Sequence, residues 1–321
     1  MLFFWEVEVK FTKPPLTVEQ QLAKLRGRGL EIGDEPTALW ALRRLGYYRL
    51  AAYTLPFQQD RLPDKPFHTG ATLCQVLALY TFDRELRLLV LDAVERVEVV
   101  LRTSMVYHLS LAHGAHWFMD TGLFSTSFDH SRFISLIEEE MELSPKGSKP
   151  NRVHAEVFIN HYYRKYGDPS LPPAWMVAET LSLGTLSRLY SSLKCPKSRQ
   201  TIATAFGYNE AILGPWLHTL TYVRNLCAHH ARLWNRQFVI KAQIPKRHAR
   251  RIPVNDRFYA VAYILADLLA TVESRSRWRF RLRELIENHP EANRPAMGFP
   301  GDWKNQPLWQ DELPDAATRA G

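Results

Sequence analysis

The sequence predicts an all-α fold, a helical bundle with an N-terminal helical extension and an extended C-terminal tail anchored by aromatic residues. Three observations predict it. Apolar residues recur at three- and four-residue spacing through most of the chain, as one face of an α-helix requires. The periodic segments begin at capping residues and stop at Gly or Pro clusters. The stretch from Arg294 to Trp309 is too rich in Pro and Gly for helix, yet holds Phe299, Trp303 and Trp309, side chains that gain most by docking on a body.

Taken in order, the first helix follows Thr17, which forms a capping-box pattern with Gln20, and runs through Leu22 and Leu25 to Gly27-Arg28-Gly29. A second covers 36–45 and stops at Gly46. Residues 47–53 fit a short helix or a strand, and periodicity does not choose between them. Residues 56–70 read as loop. The longest periodic segment, 72–112, carries Leu79, Phe82, Leu86, Val90, Val94, Val97, Leu101 and Met105 on one side. Its polar side carries Arg84, Arg87, Glu95, Glu98 and Arg102, spaced for i+3 and i+4 ion pairs on a solvent face. Glu95 and Glu98 are also candidates for a supporting catalytic carboxylate. Helices follow at 128–143 and 151–166, with a break at 144–147, and the helical spacing resumes at 174–193 after a Pro-rich turn. Gly207 and Gly214-Pro215 bracket the entry to the next helix, with Pro215 expected in its first turn. Residues 241–253 read as loop and 256–288 as a last helix. The organisation is thus an N-terminal helical region (13–72), a main helical domain (73–288) and the tail (289–321).

With 321 residues and 46% hydrophobic content, the chain can bury a sizeable core. Its three cysteines, Cys74, Cys195 and Cys227, are far apart and show no C-x-x-C spacing, so neither a disulfide framework nor a zinc site is indicated. A reducing cytoplasm fits this usage. Glu6, Glu8 and Lys10 interrupt the apolar start before a membrane span could form, so no membrane partner is expected. The net charge is +8 and unevenly spread: fourteen Lys or Arg stand against three acidic residues between Arg224 and Arg283. A concentrated basic region points to a polyanion such as nucleic acid, although charge alone fits a solvated face equally well. Arg232, Arg236, Lys246, Arg247, Arg250 and Arg251 are its candidate RNA-binding residues.

The most informative stretch is Arg224-Asn225-Leu226-Cys227-Ala228-His229-His230. If the helix from Pro215 continues through Trp234 at about 100° per residue, Trp216, Leu220, Val223, Cys227 and Trp234 form a core stripe. On that reading His230 also points inward. His218, Thr221, Asn225, His229 and Arg232 fall on the opposite side, with Arg224 on the flank. Histidine suits proton transfer near neutrality, and the planar arginine fork binds phosphate oxygens. Arg224 and His229, with Asn225 to orient the ring or donate to phosphate, are therefore the groups that metal-free RNA cleavage needs, and His230 is a possible support. One exposed histidine cannot easily be base and acid at once, so a symmetric homodimer contributing two copies is expected.

The pattern from Arg224 to His229 matches the R-x4-H form of HEPN-domain ribonucleases. The longer run to Asn235 closely resembles the signature of bacterial abortive-infection Abi proteins of the AbiD/AbiF type. Lys13-Pro14-Pro15-Leu16-Thr17, Gly46-Tyr47-Tyr48-Arg49-Leu50, Phe82-Asp83-Arg84-Glu85-Leu86-Arg87 with Glu95-Arg96-Val97-Glu98, Pro173-Ala174-Trp175-Met176 and Met297-Gly298-Phe299-Pro300 resemble that family in the same order, from residue 13 to about 309. The resemblance implies a HEPN-type helical bundle, an antiphage or toxin role, and RNA cleavage by Arg224 and His229 in a dimeric site. An RNA or protein antitoxin is then an expected partner, since an unrestrained ribonuclease harms its own cell.

Other classes are weaker. His108, His113 and His116 match no zinc spacing, and there is no phosphate-binding P-loop or G-x-S-x-G, so no metal and no cofactor is called for. A non-catalytic RNA-binding module or a regulatory module with structural histidines remains the alternative to an enzyme.

Overall fold

Capping chemistry and apolar spacing set the helix boundaries. The computed structural model describes residues 12–141, 156–273 and 275–310, which form twelve α-helices, seven short 3-10 turns and no β-strand. The chain divides into two units, 1–82 and 83–321.

In the first unit, α1 (Val18–Gly27) begins with the complete Thr17/Gln20 capping box, and α2 (Glu35–Leu45) is capped by the Asp34 carboxylate on the Thr37 amide at 2.9 Å. Leu22 and Leu25 of α1 and Ala38, Ala41 and Leu42 of α2 are buried where the two pack. Gly46, at φ +81°, turns the chain directly into α3 (Tyr47–Thr54), which resolves 47–53 as helix. Tyr53 meets Tyr80 edge-on at 5.4 Å. Residue 80 already belongs to α4 (Leu73–His113), which runs from the first unit into the second.

In the second unit, Leu86, Val90, Val94, Val97, Leu101 and Met105 of α4 are buried as their spacing requires. The helices α5 (His130–Glu140), α6 (Val157–Lys165), α7 (Ala174–Thr180), α8 (Leu183–Ser192), α9 (Pro196–Thr204), α10 (Glu210–Ala228), α11 (Phe258–Val272) and α12 (Trp278–Glu287) follow. Almost every side chain of α11 is buried, the mark of a central core helix that is apolar all round. α10 packs most extensively on α8 and α9 and also touches α11. Among the described residues no helix is long and apolar enough to cross a membrane.

Several expected boundaries move. The segment 174–193 breaks at Leu181-Ser182, where Ser182 caps α8, and the segment 256–288 breaks between α11 and α12. The helix at 196–204 has no counterpart in the expected elements. Pro215 lies inside α10, which starts five residues earlier under the Asn209 cap. The break at 144–147 and the start of the expected 151–166 helix lie outside the described residues, as does the apolar start of the chain. The described part of the tail, residues 289–310, is anchored by aromatics but is not extended: it coils through three 3-10 turns, with Phe299 packed 4.8 Å from Tyr259 and Trp309 buried beside it. Gly298 at φ +86° permits this, since a Cβ there would meet Arg257 at 2.7 Å.

The largest departure from the expected solvent face of α4 is at its centre of charge. Asp83 and Arg87 are buried and paired, at 0% and 5% exposure, in register with Val90 and Val94. Removing one partner of such a pair costs about 3–5 kcal/mol, because it strands a buried charge.

A second buried polar group joins α11 to the 241–253 loop. The Tyr208 hydroxyl donates to the Asp267 carboxylate and lies 2.8 Å from Nε2 of His248, whose Nδ1 is 3.2 Å from the Tyr263 hydroxyl. Burial, reinforced by the charges of Arg247 and Arg251, depresses the His248 imidazole to about 4. As pH falls below about 6.5 the unfolded ring takes a proton that the folded ring refuses until near 4. Stability should therefore fall by roughly 3 kcal/mol across that window. Urea denaturation at about pH 7.5, 5.5 and 4.5 checks this: the wild type loses stability with acidity, and His248→Gln loses distinctly less.

Candidate active site

The core face of α10, formed by Trp216, Leu220, Val223 and Cys227, is fully buried, and the polar side is left open. The helix does not continue to Trp234. It ends at Ala228 in a left-handed cap: the His230 amide donates to the Cys227 carbonyl at 3.0 Å and the Ala231 amide to the Leu226 carbonyl at 2.9 Å, with His230 at φ +55°. This overturns the inward placement of His230. Angular extrapolation fails once the chain leaves the helix, and both His229 and His230 are exposed.

The segment beyond the cap is pinned from α4. The Asp83 carboxylate, through a single oxygen, accepts the amides of Leu233 at 3.0 Å and Trp234 at 2.5 Å, while its other oxygen pairs with Arg87. Trp234 thus reaches the core through the loop. Cys227 lies beside this pair, and burial pushes its thiol up to about 12, so it packs as an inert apolar group.

The three motif residues lie at the C-terminal end of α10. Arg224 donates through Nη1 to Oδ1 of Asn225 at 3.3 Å, and the Asn225 carbonyl accepts the His229 amide at 3.0 Å. The Asn225 side chain therefore steadies the guanidinium and its backbone holds the histidine. The His229 ring is exposed and makes no hydrogen bond or ring contact among the described residues. Behind Arg224 stands Glu98, half-buried on α4. Burial raises its carboxyl above the ordinary value, the charges of Arg102 and Arg224 oppose that rise, and Glu95 adds to it. Arg102 bridges Glu98 at 3.0 Å, Glu179 at 3.2 Å and the Leu181 carbonyl at 3.2 Å. Glu98 is thus within electrostatic reach of the motif, while Glu95 is exposed at its edge.

The six basic candidates separate into two groups. Arg232 and Arg236 follow the motif directly; Arg236 donates to the Arg232 carbonyl at 2.6 Å, and Arg232 lies 5.9 Å over the Trp234 ring. Lys246, Arg247, Arg250 and Arg251 are exposed around the other end of α10. There the Trp216 indole donates to the Gln243 carbonyl at 2.7 Å, Tyr208 packs 4.4 Å from Trp216, and Arg247 lies 4.5 Å over Tyr208. Trp216 and His229 are separated by about 20 Å of helix axis at 1.5 Å per residue. His116 bonds the Leu171 carbonyl at 3.0 Å and His108 packs on Tyr107 at 5.0 Å, both local roles.

Sequence reasoning missed Asp83, Arg87 and Glu179 as parts of this region. A signal for the first two was present: positions 83, 87, 90, 94, 97 and 101 repeat at alternating four and three, so the charged pair continues the apolar stripe. For Glu179, on a separate helix, no local signal exists.

A non-glycine residue in the left-handed region is strained by roughly 1 kcal/mol. His230→Gly should accordingly raise stability by about that amount in chemical denaturation, and His230→Val should lower it.

Residues 40–235 match the family model described as Abi-like protein, and this stretch contains α4, the Asp83 clamp and the whole motif. No curated protein and no solved structure matches the chain. The match covers more than half of the 321 residues, and the chain belongs to the Abi-like protein family.

Proposed function

We propose that this Abi-like protein acts in abortive infection as a metal-independent endoribonuclease of HEPN type, with Arg224, Asn225 and His229 as its reaction centre. The observation that carries the reading is the exposed His229 ring five residues after Arg224, with Asn225 bonded to both. In the reaction, the 2′-hydroxyl attacks the adjacent phosphorus, a base removes its proton, and an acid protonates the departing 5′-oxygen. The products are a 2′,3′-cyclic phosphate and a free 5′-hydroxyl. Arg224 neutralises the charge that builds on the phosphoryl oxygens, and its guanidinium is kept in place by Asn225 and by the field of Glu98. Positive charge gained by His229 sits at the carbonyl end of α10, where the helix dipole favours it. The second proton step requires a second imidazole, which a homodimer presenting two copies of this helix end supplies. An inhibitory RNA or protein partner fits an enzyme of this kind.

The alternative, RNA binding without cleavage, is separated by one substitution. His229→Ala should lower cleavage by about 10²–10⁴-fold with RNA affinity retained, whereas His230→Ala should leave most activity. Undiminished cleavage by His229→Ala, read by electrophoresis of labelled RNA, sinks the assignment.

A further inference from the structure

Resting on the ribonuclease reading, we infer that single-stranded RNA reaches the reaction centre along a trough between α8 and α10, gripped by Arg188 and His218, and not along the basic loop 246–251. A cleft of about 570 Å³ is lined by Ser187, Arg188 and Ser191 of α8 and by His218 of α10. A second hollow of about 510 Å³ opens on the other side of Arg188, and Arg188 and Ser192 line both. The Arg188 side chain therefore divides one long depression.

The charges around it are already committed, except for that arginine. Arg199 in the wall is paired with Glu210 at 2.7 Å, Arg132 with Glu139 at 3.1 Å, and the Asp129 carboxylate caps α5. Arg188 is exposed and forms no ion pair or hydrogen bond among the described residues. An unpaired guanidinium flanked by serine hydroxyls and an imidazole suits phosphodiester oxygens.

The helix geometry joins this trough to the motif. His218, Tyr222 and Asn225 stand at intervals of four and three on one face of α10, and His229 follows at its C-cap, its amide bonded to the Asn225 carbonyl. His218 precedes His229 by about 16 Å of axis, the length of a few nucleotides. Trp216, which carries the 243–251 segment, is about 200° around the helix from His218, so that segment lies behind the core face. Its positive charge is greater, but its hydrogen bond to α10 is made on the core face, away from His218.

The test measures anisotropy of a labelled, unstructured oligonucleotide of roughly 12 residues on full-length protein carrying His229→Ala, across a salt series. Adding Arg188→Gln should weaken binding on the order of tenfold and reduce the slope of log affinity against log salt by about 0.7, with a smaller loss for His218→Gln. Arg250→Gln should change affinity less than about twofold. The inference is overturned if Arg250→Gln weakens binding and Arg188→Gln does not. It is equally overturned if Arg188→Gln abolishes self-association in sedimentation and leaves RNA affinity intact. Arg188-dependent binding by a wild type that cleaves nothing supports the trough and removes the nuclease reading; cleavage without Arg188 dependence does the reverse.

Discussion

A single buried carboxylate ties the motif to the rest of the molecule. Asp83 accepts two consecutive backbone amides, those of Leu233 and Trp234, on one oxygen and pairs with Arg87 through the other. Each of these groups would be costly to bury alone, and together they satisfy one another in a stripe otherwise made of Val and Leu. The chain leaving α10 turns through a strained left-handed residue, His230, and only then meets the Asp83 clamp and the pocket that takes Trp234. The position of His229 follows from the two constraints together, a helix end fixed from within and a loop fixed from α4.

This arrangement explains how an exposed histidine can be held in place without a bond to its ring. The backbone of His229 is set by the Asn225 carbonyl, and the same asparagine engages Arg224 through its side chain. Glu98 and Arg102 form a half-buried ion pair, extended by the exposed Glu179 of α7, with Glu98 within electrostatic reach of Arg224. The backbone of the motif is thus held by hydrogen bonds while the His229 ring stays exposed.

The helices were legible where local chemistry decides them: Thr17 with Gln20 starts α1, Gly46 ends α2, and the Leu and Val spacing of α4 buries the face it implies. The break at Leu181-Ser182, set by tertiary packing, was not legible, because apolar spacing continues across it, whereas the polar run 273–277 between α11 and α12 was a signal that the sequence reading passed over. Of the residues that the sequence groups as a candidate site, Arg224 and Asn225 are joined by a side-chain hydrogen bond and Asn225 and His229 by a backbone one at the end of α10. His230 was misplaced because the cap at Ala228 uses no glycine, so nothing in the spacing announced the end of the helix. Arg87 falls on the polar side in the sequence because burial of its pair with Asp83 depends on amides 150 residues away in the chain.

The clamp itself can be tested with the double substitution Asp83→Leu with Arg87→Met, which removes both charges without stranding either. Hydrogen exchange read amide by amide should show Leu233 and Trp234 losing at least about tenfold protection, with α11 amides as protected as in the wild type. If both amides kept their wild-type protection in this variant, Asp83 would not be what holds the segment after the motif, and the account would be contradicted at its base.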